Sequence, residues 1–214
     1  MKTYDIHALR PRTLLAFSGL CLLAMLLTGC WQRSLQPFFQ PADLVSEPGL
    51  AGVWREGGGP GDTPDQDDAV WKFTATGEKT FDLSIRDDKE QHQYEARAFR
   101  LGDALFLDLF SKTRTVGTIP AHHLFRVVEL GATLKLTTLN PEWMAKRLRA
   151  HPTELEHAFI PSAEEPDQRD KDELVLTAST EALQRFLRQH RDEEEFFTGE
   201  TAFHKEPATA VRPE

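Results

Sequence analysis

The chain has 214 residues, of which 40% are hydrophobic and 28% are charged. These fractions are typical of a globular protein, and they argue against both wholesale disorder and a protein with many membrane spans. The formal net charge is −9, and no basic stripe offsets it, so we expect no nucleic-acid partner.

Residues 1–29 have the composition of an export signal. Three basic residues lie within residues 1–12, and an almost wholly apolar run occupies residues 13–28. This run of 16 residues is shorter than the roughly 20 residues that a bilayer-spanning helix needs. A basic segment, a short apolar stretch and a boundary of small residues together predict a secretory signal peptide.

The signal ends in Leu27-Thr28-Gly29-Cys30. This tetrapeptide resembles the lipobox of bacterial lipoprotein precursors, which implies cleavage before Cys30 and a diacylglyceryl group on its sulfur. We therefore expect Cys30 to carry the lipid that holds the mature protein on a membrane. The alternative is an uncleaved anchor helix with an incidental cysteine. Trp31 stands where an Asp would resemble an inner-membrane retention signal, which implies the outer membrane, facing the periplasm, in a Gram-negative source.

Residues 30–48 contain three prolines and show no clear period. We interpret this segment as the lipidated cysteine followed by a tether, which would let the domain stand off the membrane. Phe38 and Phe39 are the tether residues that we expect to pack against the domain.

From Leu50 onward, apolar and polar residues alternate in short runs that are separated by turns. Period-two alternation is typical of strands with one buried face. It predicts strands over residues 50–54, 70–76, 79–87, 91–101, 104–110, 122–130 and 133–139. The Gly-, Pro- and Asp-rich stretch 56–68 is predicted to be a loop.

Two short helices are predicted in the C-terminal half. Asn140-Pro141 is typical of a helix start, with Asn as the N-cap and Pro in the first turn, and this helix should run to about Ala150. Ser179 or Thr180 should cap a second helix over residues 181–191. Shorter strands are predicted at residues 154–160, 173–178 and 202–205, the last closing the sheet, and residues 206–214 are predicted to be a disordered tail.

The predicted fold is mainly β, an antiparallel meander over residues 49–205 that closes into a small barrel. Gly52-Val53-Trp54 resembles the Gly-x-Trp of lipocalins, in which the Trp plugs the closed end of the barrel. The resemblance implies a lipocalin-like barrel, to which the two late helices are an addition. The arrangement also resembles that of bacterial lipoproteins of similar length, a resemblance that implies no activity.

Aromatic residues on the predicted strands are candidates for lining an apolar pocket. We assign the ligand-binding role to Trp54, Trp71, Phe73 and Tyr94, while the alternative is that these rings fill the core. Two functions therefore stay open. One is a membrane-anchored lipoprotein that binds a small apolar ligand, and the other is a structural or interaction envelope lipoprotein with a protein partner and no ligand pocket.

The sequence argues against an enzyme. It contains no Gly-x-Ser-x-Gly, no His-Glu-x-x-His and no glycine-rich phosphate loop. Both cysteines are accounted for, since Cys21 lies in the predicted signal, and this leaves no thiol for catalysis or metal binding. The adjacent His122 and His123 should point to opposite faces of a strand, so they are poorly placed to share a metal. We expect no cofactor and no metal.

Overall fold

The computed structural model describes residues 31–57, 68–87, 90–112, 119–162 and 167–207. The predicted signal peptide, Cys30, most of the predicted 56–68 loop and most of the predicted tail lie outside the described residues. None of the helices in the described ranges combines the length and apolar composition needed to cross a membrane.

The described residues form eleven strands and two α-helices. The strands are β1 (Arg33–Ser34), β2 (Gly52–Glu56), β3 (Val70–Ala75), β4 (Phe81–Asp87), β5 (Glu90–Leu101), β6 (Ala104–Ser111), β7 (His122–Leu130), β8 (Thr133–Leu139), β9 (His157–Ile160), β10 (Glu173–Leu176) and β11 (Phe197–Lys205). The helices are α1 (Pro141–Ala150) and α2 (Thr180–His190), and single 3-10 turns span Pro41–Asp43, Pro48–Leu50 and Arg169–Lys171.

Eight antiparallel strands close into a barrel in the order β2-β3-β4-β5-β6-β7-β8-β11, with β11 returning to pair with β2. The predicted meander, its closure and the mainly β class are therefore confirmed. Strand β11 starts at Phe197 and is longer than the predicted 202–205. Its pairing with β8 shifts between Thr198 and Thr201, where Gly199 has a φ of 66°, and this irregularity breaks the alternation that would have revealed the strand.

The barrel interior holds a contiguous hydrophobic cluster. The inward positions of the strands supply it, as period-two geometry requires. Trp71 on β3 and Phe125 on β7 stand on opposite walls, yet their ring centroids lie 5.6 Å apart, and Phe203 lies 4.9 Å from Trp71. Side chains from opposite walls therefore meet across the lumen.

A second hydrophobic core lies outside the barrel wall. Strands β5 to β8 turn Phe99, Phe106 and Leu124 outward, and these residues pack against the apolar faces of α1 and α2. Since β6 is buried on both faces, its sequence is an almost continuous apolar run rather than an alternation.

Both helices start with a side-chain cap, as predicted. Asn140 accepts hydrogen bonds from the backbone N–H groups of Glu142 and Trp143. Ser179 is the N-cap of α2 and accepts from the N–H of Ala182. The cap is therefore Ser179 rather than Thr180, which is the first helical residue.

Residues 31–50 form a strap that runs along the outer wall of the barrel. Phe38 and Phe39 are buried in the outer core, as expected. The rest of the segment differs from the predicted tether, because β1 pairs with β10 and β7 and the compact unit already begins at Trp31. A strand of two residues leaves no period in the sequence, so alternation could not reveal it.

Candidate functional site

The four residues predicted to bind a ligand all contribute to the inner core. Trp54, Trp71 and Phe73 are 0%, 4% and 2% exposed, and Tyr94 packs half-buried against the same cluster. The structure brings them together as packing partners within this cluster, and Trp71 contacts Phe125 on the opposite wall. Burial also raises the pKa of Tyr94, because the charged phenolate loses its hydration.

Trp54 closes one end of the barrel, which we call the Trp54 end. Its Nε1 donates a hydrogen bond of 2.8 Å to the carbonyl oxygen of Leu50, in the 3-10 turn that crosses this end. The Lys205 ammonium lies 4.9 Å above the Trp54 ring and donates to the carbonyl oxygen of Gly49. Gly52 has a φ of +131°, and a Cβ there would meet Lys205 Cε at 2.9 Å. Gly52 thus leaves room for the Lys205 side chain beside the buried Trp54 indole.

Trp31 covers the opposite end, which we call the Trp31 end. Its ring lies within 6.1 Å of the Trp71 ring, 6.0 Å of Tyr94, 5.6 Å of His123 and 4.8 Å of Phe125. These partners all stand on inward positions of the barrel. The sequence did not predict this role because Trp31 precedes the first segment in which apolar and polar residues alternate.

The outer wall of the barrel carries a cavity of about 170 Å³, which we call the outer cleft. Outward positions of β5, β6 and β7 form its floor, and the strap forms one side. The residues that line it are Pro37, Phe39, Glu95, Arg97, Asp108, Phe110 and His122.

Asp108 is the buried anchor of the outer cleft. It is only 1% exposed, although it stands on the outward face of β6, because the strap covers it. Its Oδ2 accepts a hydrogen bond of 2.9 Å from the Phe38 N–H, and its Oδ1 lies 2.7 Å from His122 Nδ1. The carboxylate thus fastens the strap and orients the imidazole, and among the contacts of the described residues Nε2 is the ring nitrogen left for a ligand.

The polar side chains of the outer cleft are held in fixed positions. Arg97 donates from Nε and Nη2 to Glu95 Oε1 at 2.8 and 2.7 Å, and its guanidinium lies 5.3 Å above the Phe39 ring. Phe110 packs against His122 with ring centroids 4.6 Å apart. The cleft therefore combines apolar walls with preorganised donors and acceptors, which is the usual composition of a binding pocket.

The size of the outer cleft limits what it can hold. An engineered cavity of about 150 Å³ in another protein takes up benzene, so about 170 Å³ accommodates one ring-sized group. The described lining places the Asp108–His122 pair between the strap and the barrel wall.

His123 shows the opposite environment from its neighbour. The structure places it on the inward face, as strand geometry predicts, where it is 9% exposed. Burial lowers its pKa from 6.5 to about 4, and the positive charge of Arg33 contributes further. Its Nδ1 has no hydrogen-bond partner among the described residues, and a buried neutral imidazole tolerates this better than a charged one would.

A separate polar cluster joins the two helices. His190 is 1% exposed, and its two ring nitrogens lie 2.6 Å from Glu193 Oε1 and 3.0 Å from Glu154 Oε1. Arg147 binds both oxygens of Glu154, and this hydrogen bonding lowers the pKa of Glu154. The cluster ties α1, α2 and the chain between them together, and we assign it a structural role.

The described residues contain no group of three or more His, Cys, Asp or Glu side chains arranged to hold a metal ion. Comparisons of the chain with protein-family models, curated protein sequences and solved structures gave no match.

Replacement of Asp108 by Ala should lower the free energy of unfolding by about 1–3 kcal/mol, because the buried Phe38 N–H loses its acceptor. Asp108→Asn retains an acceptor oxygen and should lose less. Asp82→Ala, at an exposed ion pair with Lys112, is the control and should change stability by less than about 0.5 kcal/mol. Urea denaturation measures all three, and equal effects of Asp108→Ala and Asp82→Ala would contradict the anchoring role.

Stability should depend on pH through His123. The unfolded imidazole binds a proton near pH 6.5 and the folded one only near pH 4, so stability is lost as the pH falls between these values. The loss should reach about 3 kcal/mol at 1.36 kcal/mol per pKa unit. Denaturation at several pH values should show a flatter curve for His123→Phe than for the wild type, whereas His151→Phe, at an exposed position, should keep the wild-type slope.

Proposed function

We propose that the protein is a lipid-anchored envelope lipoprotein that binds a protein partner through the outer cleft of its barrel. It acts in this proposal as an interaction module and not as an enzyme. The membrane that carries it is the outer membrane, with the domain facing the periplasm.

The single observation that carries the binding part is the contrast between the lumen and the outer wall. Rings from opposite walls meet inside the barrel, with Trp71 5.6 Å from Phe125, so an apolar ligand there would have to displace core side chains. The outer cleft instead has a volume of about 170 Å³ and faces solvent. Of the two functions that the sequence left open, the partner-binding one therefore has the better support.

The outer cleft has features of a binding hot spot. One aromatic side chain of a partner fits its volume and would contact Phe39 and Phe110. The Arg97 guanidinium and His122 Nε2 would then bind a polar group at the ring edge, such as a hydroxyl or a backbone carbonyl. Anchors of this kind, buried in a preformed pocket, dominate many protein interfaces.

The membrane part rests on the lipobox-like Leu27-Thr28-Gly29-Cys30. A thioether-linked diacylglyceryl group brings two acyl chains, enough for stable attachment without a membrane-spanning helix.

The anchor is tested by growing cells with labelled palmitate. We expect the label on the wild-type protein and on Cys21→Ser, because the sulfur of Cys21 leaves with the signal peptide. Cys30→Ser should carry no label and should accumulate at precursor mass. Label on Cys30→Ser, or a wild-type chain that stays at precursor mass after export, would contradict the anchor.

The cleft is tested by placing a photo-crosslinking amino acid at Phe110 in living cells. We expect a discrete adduct from this position and none from Val128, which is 51% exposed on the same barrel. Adding His122→Gln to the variant that carries the photo-crosslinking amino acid at position 110 should reduce the yield of this adduct. Recovery of monomer alone from Phe110, together with a small apolar molecule in a native mass spectrum, would instead favour a ligand in the lumen.

A further inference from the structure

We infer that the Trp31 end of the barrel is a membrane-apposed surface, held against the lipid bilayer with no flexible linker between the lipid and the folded domain. The inference rests on the proposed lipid at Cys30 and adds an orientation that the lipid alone does not fix. Its partner is the bilayer surface itself.

The first step is that the chain is packed from its first described residue. Trp31 lies against four aromatic side chains at the Trp31 end, the nearest being Phe125 at 4.8 Å. Gln32 is 4% exposed, and its Nε2 donates a hydrogen bond of 2.7 Å to the carbonyl oxygen of Leu174. Arg33 and Ser34 then pair with β10. Four consecutive residues are thus tied to the domain.

The second step is covalent reach. The peptide bond joins Cys30 to Trp31, and consecutive Cα atoms are about 3.8 Å apart. A lipid on the Cys30 sulfur therefore begins about one residue away from the Trp31 end. A flexible tether of the length predicted for residues 31–48 would instead have a root-mean-square end-to-end distance of about 23 Å, which would separate the lipid from the domain. The packed strap removes that freedom.

The third step identifies the parts of the barrel that a lipid on Cys30 would bring near the bilayer. The β4–β5 hairpin lies at the Trp31 end, where Asp87 and Glu90 have exposed side chains. The β3–β4 turn with Glu78 lies at the Trp54 end. The seven residues of β4 separate the two turns, about 23 Å along the strand at roughly 3.3 Å per residue. One strand thus offers a near and a far position.

The chemistry of the Trp31 end allows contact with lipid headgroups. Trp31 and Tyr94 are partly exposed rings with polar edges, a type of side chain that favours the membrane interface. Asp87 and Glu90 lie at this end together with the exposed cations Arg33 and Arg86, so the charges of the described residues there are mixed and do not by themselves set an orientation toward anionic lipids. The covalent lipid and its short distance from Trp31 set the orientation, so the orientation should not depend on salt concentration.

The test uses the lipidated mature protein, purified from membranes and reconstituted into vesicles of phosphatidylethanolamine and phosphatidylglycerol. The described residues contain no cysteine, and the lipid blocks the Cys30 sulfur, so Glu90→Cys or Glu78→Cys gives one labelling site. A fluorophore at each site is quenched by lipids with a nitroxide headgroup. We expect several-fold stronger quenching at position 90 than at position 78, at both low and high salt.

A variant with a Gly-Ser repeat inserted between Cys30 and Trp31 provides the control. It should float with the vesicles as the wild type does but should show nearly equal quenching at the two positions. Flotation of the wild type with equal or reversed quenching overturns the orientation and leaves the anchor intact. Failure of the wild type to float overturns both the anchor and the orientation.

Discussion

Trp71 and Phe125 stand on opposite walls of the barrel and still meet, with ring centroids 5.6 Å apart. Strand geometry explains how, since side chains of the barrel strands alternate between the two faces outside the irregularities and large apolar side chains dominate the inward positions. A lumen filled in this way stabilises the barrel through burial of apolar surface. An apolar ligand in the lumen would have to displace these side chains.

Among the described residues, Asp108 is the one buried carboxylate of the outer wall, and the strap is fastened to it. Asp108 stands on the outward face of a strand that is otherwise apolar on both faces, and burial of a carboxylate is unfavourable unless it is hydrogen-bonded. The strap supplies the Phe38 N–H, and His122 supplies Nδ1. The same contacts that satisfy the charge hold one side of the outer cleft in place, so the cleft is built from strap and barrel together.

Sequence patterns predicted the barrel well because its strands obey a local rule. Alternation placed β4 and β5 within a few residues of their bounds, and capping residues placed the starts of α1 and α2. The pattern failed where local rules do not apply: at the bulge near Gly199, at the two-residue β1 and at Trp31. The outer cleft joins residues from a strap and three strands, and such long-range contacts leave no period. The one signal that pointed to it was the charge of Asp108 within the apolar run of β6.

The wall formed by β5 to β8 is shared by the two hydrophobic cores, since Leu107 and Phe125 face the lumen while Phe106 and Leu124 face the helices. Loss of these strands would expose both cores at once. We therefore expect the barrel and the helical layer to unfold together, because a change that destabilises the shared wall removes packing from both cores.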